Sequence, residues 1–222
     1  MRIDVLTLFP ESFAPLKTSL LGKAQEKNAI EINLIDIRDF SKDKHKKCDD
    51  YPFGGGVGML MTPQPIYDAF VSIDGYEKAH KIYLSPKGEK LVQSKVKSLA
   101  KYEHLILLCG HYEGVDERII DMLIDEEISI GDYVLTGGEI PAMVLIDAVS
   151  RYIPGVLGKL ESTNDESFSD GLLEYPQYTR PQNFMGHEVP EVLVSGDHQK
   201  VDEWRKKQAE NLTKKRRPDI MQ

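Results

Sequence analysis

Apolar positions alternate from Ile3 and then run together to Phe9, which predicts a strand stopping at Pro10. Ser12–Asn28 has the spacing of a helix, and Ile30–Ile37 reads as a second strand. Pro63–Ile73 predicts a helix with proline at its start. Lys81–Leu84 is a short strand, and beyond Pro86 the positions Val92, Val96 and Leu99 fall on one helical face. HLILLC at His104–Cys109 is apolar without interruption, as in a strand covered on both sides. A short helix at Arg118–Ile124 and a strand at Glu127–Ile130 follow. The next helix, from about Ile140 to Ile153, puts Ala142, Ile146, Val149 and Ile153 on one stripe. Strands and helices thus alternate from Met1 to about Pro154, the pattern of an α/β domain with a mostly parallel sheet. Gly155–Tyr175 is polar and aperiodic, and the basic segment after it holds one clear helix, about Lys200–Leu212.

Composition narrows the class. With 41% hydrophobic residues a buried core is expected and disorder is not. No apolar run is long enough to span a bilayer, and MRIDVLTLFP reads as a strand, not a signal peptide. Cys48 and Cys109 offer neither a disulfide framework nor metal spacing, and the six histidines include no zinc-type pair, so no metal site is expected and the cytoplasm is the simplest compartment. The net charge of −8 argues mildly against nucleic acid, but its distribution matters more than its sum. Glu103–Pro141 carries many acids and a single basic residue, Arg118, whereas Lys and Arg gather at 38–47, 78–101 and 205–217. That layout suits a cationic small molecule at the centre and a polyanion elsewhere; solvated helix faces would explain it equally well.

The usual nucleotide signatures are missing. There is no P-loop, and FGGGVGML at Phe53–Leu60 follows no predicted strand and lacks the third glycine of a dinucleotide fingerprint. What remains are three loops, each at the carboxyl end of a predicted strand: YLSPKG at Tyr83–Gly88, CGHYEGVDER at Cys109–Arg118, and IGDYVLTGGEIP at Ile130–Pro141. Ligands of open parallel sheets bind at that edge. Gly110, Gly114, Gly131, Gly137 and Gly138 would let backbone N–H and C=O groups approach a ligand, with the carboxylates of Glu113, Asp116 and Glu117 beside it. Any one of these loops alone would read as an ordinary turn; three together read as a pocket.

These motifs, with SRYIPGVLG, GLLEYPQYTRP, LTLFPE and DDYPFGGGVGM, closely resemble the bacterial tRNA (guanine-N1)-methyltransferases of the SPOUT class over nearly the whole chain. The resemblance implies an α/β fold with a mostly parallel sheet and a deep trefoil knot, plus a small, mainly helical C-terminal domain. Residues 1–158 would form the knotted domain, 159–174 a mobile linker and 175–222 the tRNA-binding domain. It implies S-adenosylmethionine held by Tyr83, Leu84, Ser85, Pro86, Gly110, Tyr112, Glu113, Ile130, Gly131, Asp132, Tyr133, Val134, Leu135, Gly137, Gly138 and Pro141. It also implies a homodimer with the active site between subunits, and a tRNA anticodon stem-loop as the partner. The knot follows from the resemblance alone.

The implied reaction needs a base for the N1 proton of guanine and a cationic group for the charge that develops on O6. The family places an aspartate immediately before Ser-Phe; here Glu166 holds that position in NDESF, with Asp165 preceding it. Glu166 is the expected base and Asp165 its substitute. Arg151, in SRYIPG, is expected to stabilise the transition state, although Asp147 one turn earlier offers it an ordinary helix ion pair. Arg180, Arg205, Lys214 and Arg217 are expected at tRNA phosphates, and His45 to Gly58 at the subunit seam. Magnesium shared between guanine O6 and nearby acids is compatible with the motifs, and no motif requires it. Two alternatives stay open at this point: a knotted methyltransferase acting on ribosomal RNA, and an RNA-binding module without catalysis.

Overall fold

The structure is a computed structural model that describes residues 1–158 and 166–221. The chain divides into two compact units, Met1–Gly158 and Lys159–Gln222.

Among the described residues of the first unit, five parallel strands make one sheet. They are β1 (Arg2–Thr7), β2 (Glu31–Asp36), β5 (His80–Lys90), β6 (His104–Cys109) and β7 (Glu126–Ser129), in the spatial order β2-β1-β6-β5-β7. Two short strands, β3 (Asp49–Asp50) and β4 (Leu60–Met61), pair antiparallel apart from it. Helices α1 (Ser19–Glu26), α2 (Pro63–Val71), α3 (Gln93–Leu99), α4 (Glu117–Leu123) and α5 (Glu139–Ser150) complete the unit.

β6 shows why HLILLC is apolar throughout. Side chains alternate across a strand, so Leu105, Leu107 and Cys109 enter one core while Ile106 and Leu108 enter the other. The first core also takes Val96 and Leu99 of α3 and Ala142, Ile146 and Val149 of α5. The second takes Ile66, Ala69 and Phe70 of α2 and Ile119 of α4. Both faces of the central strand are therefore covered, as parallel sheets require.

Two expectations need correction. The helix expected over Ser12–Asn28 is a 3-10 helix at Pro10–Lys17 followed by α1. Pro15 has no N–H to donate, and Ser19 takes a positive φ of 54°, which breaks the helical path between the two pieces. The strand expected at Lys81–Leu84 extends to Lys90. Leu84 and Glu89 both pair with Ile128, so Ser85–Lys87 bulge outward and the strand returns to the same partner. Gly88 makes the return feasible, because a Cβ there would stand 2.4 Å from the carbonyl carbon of Glu127.

The second unit contains a small hairpin, β8 (Asn183–Phe184) and β9 (His187–Glu188), then α6 (Glu191–Val194) and α7 (His198–Arg216). Asp197 caps α7 by accepting from the Lys200 amide at 3.2 Å. Within residues 166–174, part of the expected linker, the Leu173 amide donates to Thr213 Oγ1 of α7 at 2.8 Å, and the Glu174 amide to Ser167 Oγ at 2.9 Å.

Candidate active site

β6, β5 and β7 are adjacent and parallel, so the loops leaving their carboxyl ends emerge side by side. They line one open cleft of about 1160 Å³ in the first unit. Every residue expected at the methyl donor lines it except Asp132, which forms an ion pair with Lys90 at 2.7 Å.

The loops are tied to one another through backbone. The Gly138 amide donates to the Gly110 carbonyl at 2.8 Å, and Gly137 bridges antiparallel to His111. The Gly114 amide closes the second loop on His111 at 3.0 Å, with Tyr112 held at a φ of 57°. In the third loop, Ser129 Oγ donates to the Gly131 carbonyl at 2.9 Å. Such cross-ties satisfy backbone groups of the loops within the loops themselves and leave them little freedom to collapse.

A fourth segment completes the wall. Asp50–Phe53 and Leu60–Pro63 line the same cleft. The Glu113 amide donates to Met59 at 3.0 Å, Met61 to Gly114 at 2.9 Å and Asp116 to Met61 at 3.1 Å, so β4 is stitched to the second loop. Asp50–Phe53 falls within His45–Gly58, the stretch expected from the sequence at a subunit seam, and neither it nor Leu60–Pro63 is among the expected donor contacts. The signal available was the motif DDYPFGGGVGM itself, which has no periodicity to show where it packs.

Electrostatics favour a cation over a nucleophile. Glu113, Asp116, Glu117, Glu127 and Asp50 surround the opening against Lys87 and Arg118. Arg118 is committed to Asp116, gripping it at 2.8 and 2.7 Å, and that contact holds the Asp116 carboxyl below the usual range. Burial pushes the Cys109 thiol well above its ordinary value, so it is no thiolate. Burial, with Glu127 next, pushes the Tyr83 phenol up to about 12, so Tyr83 stays neutral and packs under Gly110 and Gly114.

The family profile described as tRNA (Guanine-1)-methyltransferase TrmD matches residues 1–222. The chain belongs to that family. A protein of Ruminiclostridium cellulolyticum named tRNA (guanine-N(1)-)-methyltransferase is 60% identical over 223 residues, covering 99% of this chain and 96% of its own. Proteins of the same name from Alkaliphilus metalliredigens and Clostridioides difficile are 59% and 56% identical, covering 100% and 99% of this chain and 92% and 97% of their own.

The family's other expected site residues lie away from these loops in sequence. Arg151 stands at the C-cap of α5, half-buried, and is not among the residues lining the cleft. Glu166 is half-buried in the second unit, where its carbonyl accepts from the Ser169 amide at 3.1 Å. Asp165 lies outside the described residues. Of the cations expected at tRNA, Arg205 stacks 5.0 Å over Tyr175, and Arg217 grips Asp219 at 2.7 Å while lying over Phe168. No described helix is long and apolar enough to cross a membrane.

Proposed function

We propose that this protein transfers a methyl group from S-adenosylmethionine to N1 of the guanosine 3′-adjacent to the anticodon in tRNA. The observation that carries the reading is the convergence of Tyr83–Pro86, Gly110–Glu113 and Ile130–Pro141 on one backbone-lined cleft, in a chain that matches the family from end to end. The names of its relatives specify tRNA and guanine N1, which favours this substrate over ribosomal RNA and over a module without catalysis.

The donor supplies an already activated methyl on a sulfonium cation. The cleft fits such a group: acids outnumber unpaired bases around it, and peptide groups line it. Tyr83, neutral and buried, supports the second loop from below. In this reading Glu166, or Asp165 in its stead, removes the N1 proton, and Arg151 stabilises the charge that develops on O6. The target base leaves its stack to reach the cleft.

The remaining parts of the proposal are architectural. Residues 1–158 would be the donor domain and 175–222 the tRNA-binding domain, with 159–174 between them. A trefoil knot is the fold expected of the family to which the chain belongs. A homodimer with the site at its interface is supported by Tyr51, Phe53 and Val57, which are 78%, 101% and 93% exposed. A magnesium ion shared between guanine O6 and nearby acids is compatible with the acids around the cleft, since magnesium keeps several of its waters and needs only one or two carboxylates. The cytoplasm is the compartment that supplies tRNA.

A single-turnover assay with labelled donor and unmodified tRNA tests the function. Label should enter tRNA and be lost when the target guanosine is replaced by adenosine. No transfer to the guanosine-bearing tRNA would overturn the assignment.

A further inference from the structure

The second unit carries an exposed aromatic face to which the donor reading assigns no role. Strands β8 and β9 are joined by Met185 and Gly186, whose φ values of 53° and 86° are the left-handed pair that a tight two-residue turn needs. The Gly186 amide donates to Asn183 Oδ1 at 3.1 Å, and the Val189 amide to the Gln182 carbonyl at 2.9 Å, so the ribbon is tied at both ends. Side chains alternate across a strand. Asn183 and Glu188 pair on one face, where Asn183 Nδ2 donates to Glu188 Oε1 at 3.2 Å. Phe184 and His187 pair on the other. Both rings are exposed, Phe184 by 62%, and so is Gln182, two residues before Phe184 on the same face. Among the described residues neither ring stacks on another ring or lies under a cation.

We propose that Phe184 and His187 form a stacking platform for an unstacked base of the tRNA. The chemistry of the face selects that occupant. It offers two rings and an amide, and its one aliphatic residue, Val189, is half-buried. Every base has a π-face that an aromatic ring accepts, and bases splayed from single-stranded RNA loops are held in this way. Gln182 brings an amide that both donates and accepts at a base edge. Arg180, two residues before it, is exposed and makes no ion pair among the described residues, so its charge is available to an adjoining phosphate. Glu188, the acid of the hairpin, is turned to the opposite face and held there by Asn183. The tied turn fixes the rings in advance, which lowers the entropy lost when a base docks. Stacking involves no net charge, so the platform adds affinity that salt does not screen, in contrast to the Lys and Arg of α7.

The platform rests on the tRNA reading above, and its test separates the two. Affinity for unmodified tRNA is measured across a salt series for the full-length parent, Phe184→Leu, Phe184→Tyr and His187→Leu, beside S-adenosylmethionine affinity, thermal midpoint and sedimentation. A parent that binds no tRNA overturns the functional reading itself. Given a parent that binds, the leucine variants keep apolar bulk without a π-face and should each weaken tRNA binding about tenfold, the scale of one base stacked on an aromatic ring. Phe184→Tyr keeps the π-face and should stay within about twofold of the parent. The slope of log affinity against log salt should be the same in all four, because no phosphate contact is lost. Both sites are exposed, so midpoints should move by no more than about 2 °C. Donor affinity should not change. Either leucine variant binding tRNA like the parent would overturn the platform, and so would a loss shared by Phe184→Tyr. A smaller sedimenting species in the leucine variants would give the face to a second copy of the chain and overturn it as well.

Discussion

The Gly138 amide donates to the Gly110 carbonyl across 2.8 Å, and a Cβ on Gly138 would stand 2.7 Å from Cys109 Cα and 2.9 Å from the Gly110 nitrogen. Those obstacles are backbone atoms that cannot swing aside. The local φ of −82° suits any residue, so crowding and not torsion excludes a side chain. Gly138→Ala should destabilise the first unit by about 1–3 kcal/mol, the usual range for overpacking. Donor affinity should fall further than the thermal midpoint alone explains, because the change separates two walls of the cleft. Calorimetric titration beside a melting curve checks this; parent-like donor affinity would sink it.

Tyr83 makes stability sensitive to alkali. Burial first, then Glu127, pushes its phenol from an ordinary 10.0 to about 12, with the Val115 backbone opposing. The folded unit therefore keeps this proton to higher pH than the unfolded chain does. The resulting stabilisation is fully present below pH 10 and is lost as pH rises through about 12. Urea midpoints across that window should fall less steeply for Tyr83→Phe than for the parent. Parallel slopes would refute the assignment.

Glu126 does the same at the acid end. Burial raises its pKa, but hydrogen bonds from His80 at 2.7 Å and Lys95 at 2.9 Å outweigh burial and hold it below the ordinary 4.5. Stability from these partners is complete above pH 4.5 and disappears as pH falls through the lower, folded value. Glu126→Gln should flatten the acid limb of the stability curve and leave methylation of tRNA near neutral pH within about twofold, because Glu126 is not among the residues lining the cleft.

The base and the cation have separable signatures. Glu166→Gln should slow single-turnover methylation by about a hundredfold or more, the scale of general base catalysis, and Asp165→Asn should not. The reverse ranking would give the role to Asp165. Arg151→Ala should lower the rate far more than donor affinity; equal losses would remove it from the transition state.

Charge reversal at Lys214, Lys215, Arg216 and Arg217 should weaken tRNA binding and flatten its salt dependence, by about one unit of log–log slope for each phosphate left without its cation. Arg217 should count least, because Asp219 already holds it at 2.7 Å. Unchanged affinity and slope would clear the C-terminal segment of this role.

The legibility of the fold in the sequence depended on the range of the interactions. The expected strand over His104–Cys109 matches β6 end to end, because side-chain alternation and cover on both faces leave a local mark, an unbroken apolar run. The stripe Ala142, Ile146 and Val149 is buried for the same reason. The helix expected over Ser12–Asn28 failed where one proline and one positive φ outweighed a helical spacing. β5 outran its expected end because pairing with β7 resumes after the Ser85–Lys87 bulge, and no property of KGEK by itself reveals a partner so far along the chain.

The sequence by itself determined the alternation of strands and helices, the three loop motifs and the family, since each is written in contiguous residues. Only the tertiary structure decided that β6, β5 and β7 stand side by side, that Leu60–Pro63 closes the same cleft, and that Glu139 at the start of α5 reaches Thr7 of β1. The reason is physical. Those relations depend on strand order and on backbone approaches closer than a methyl group allows. Thr7 and Glu139 lie at opposite ends of the first unit's sequence, and only the packing of the end of β1 against the start of α5 brings their side chains within 2.8 Å.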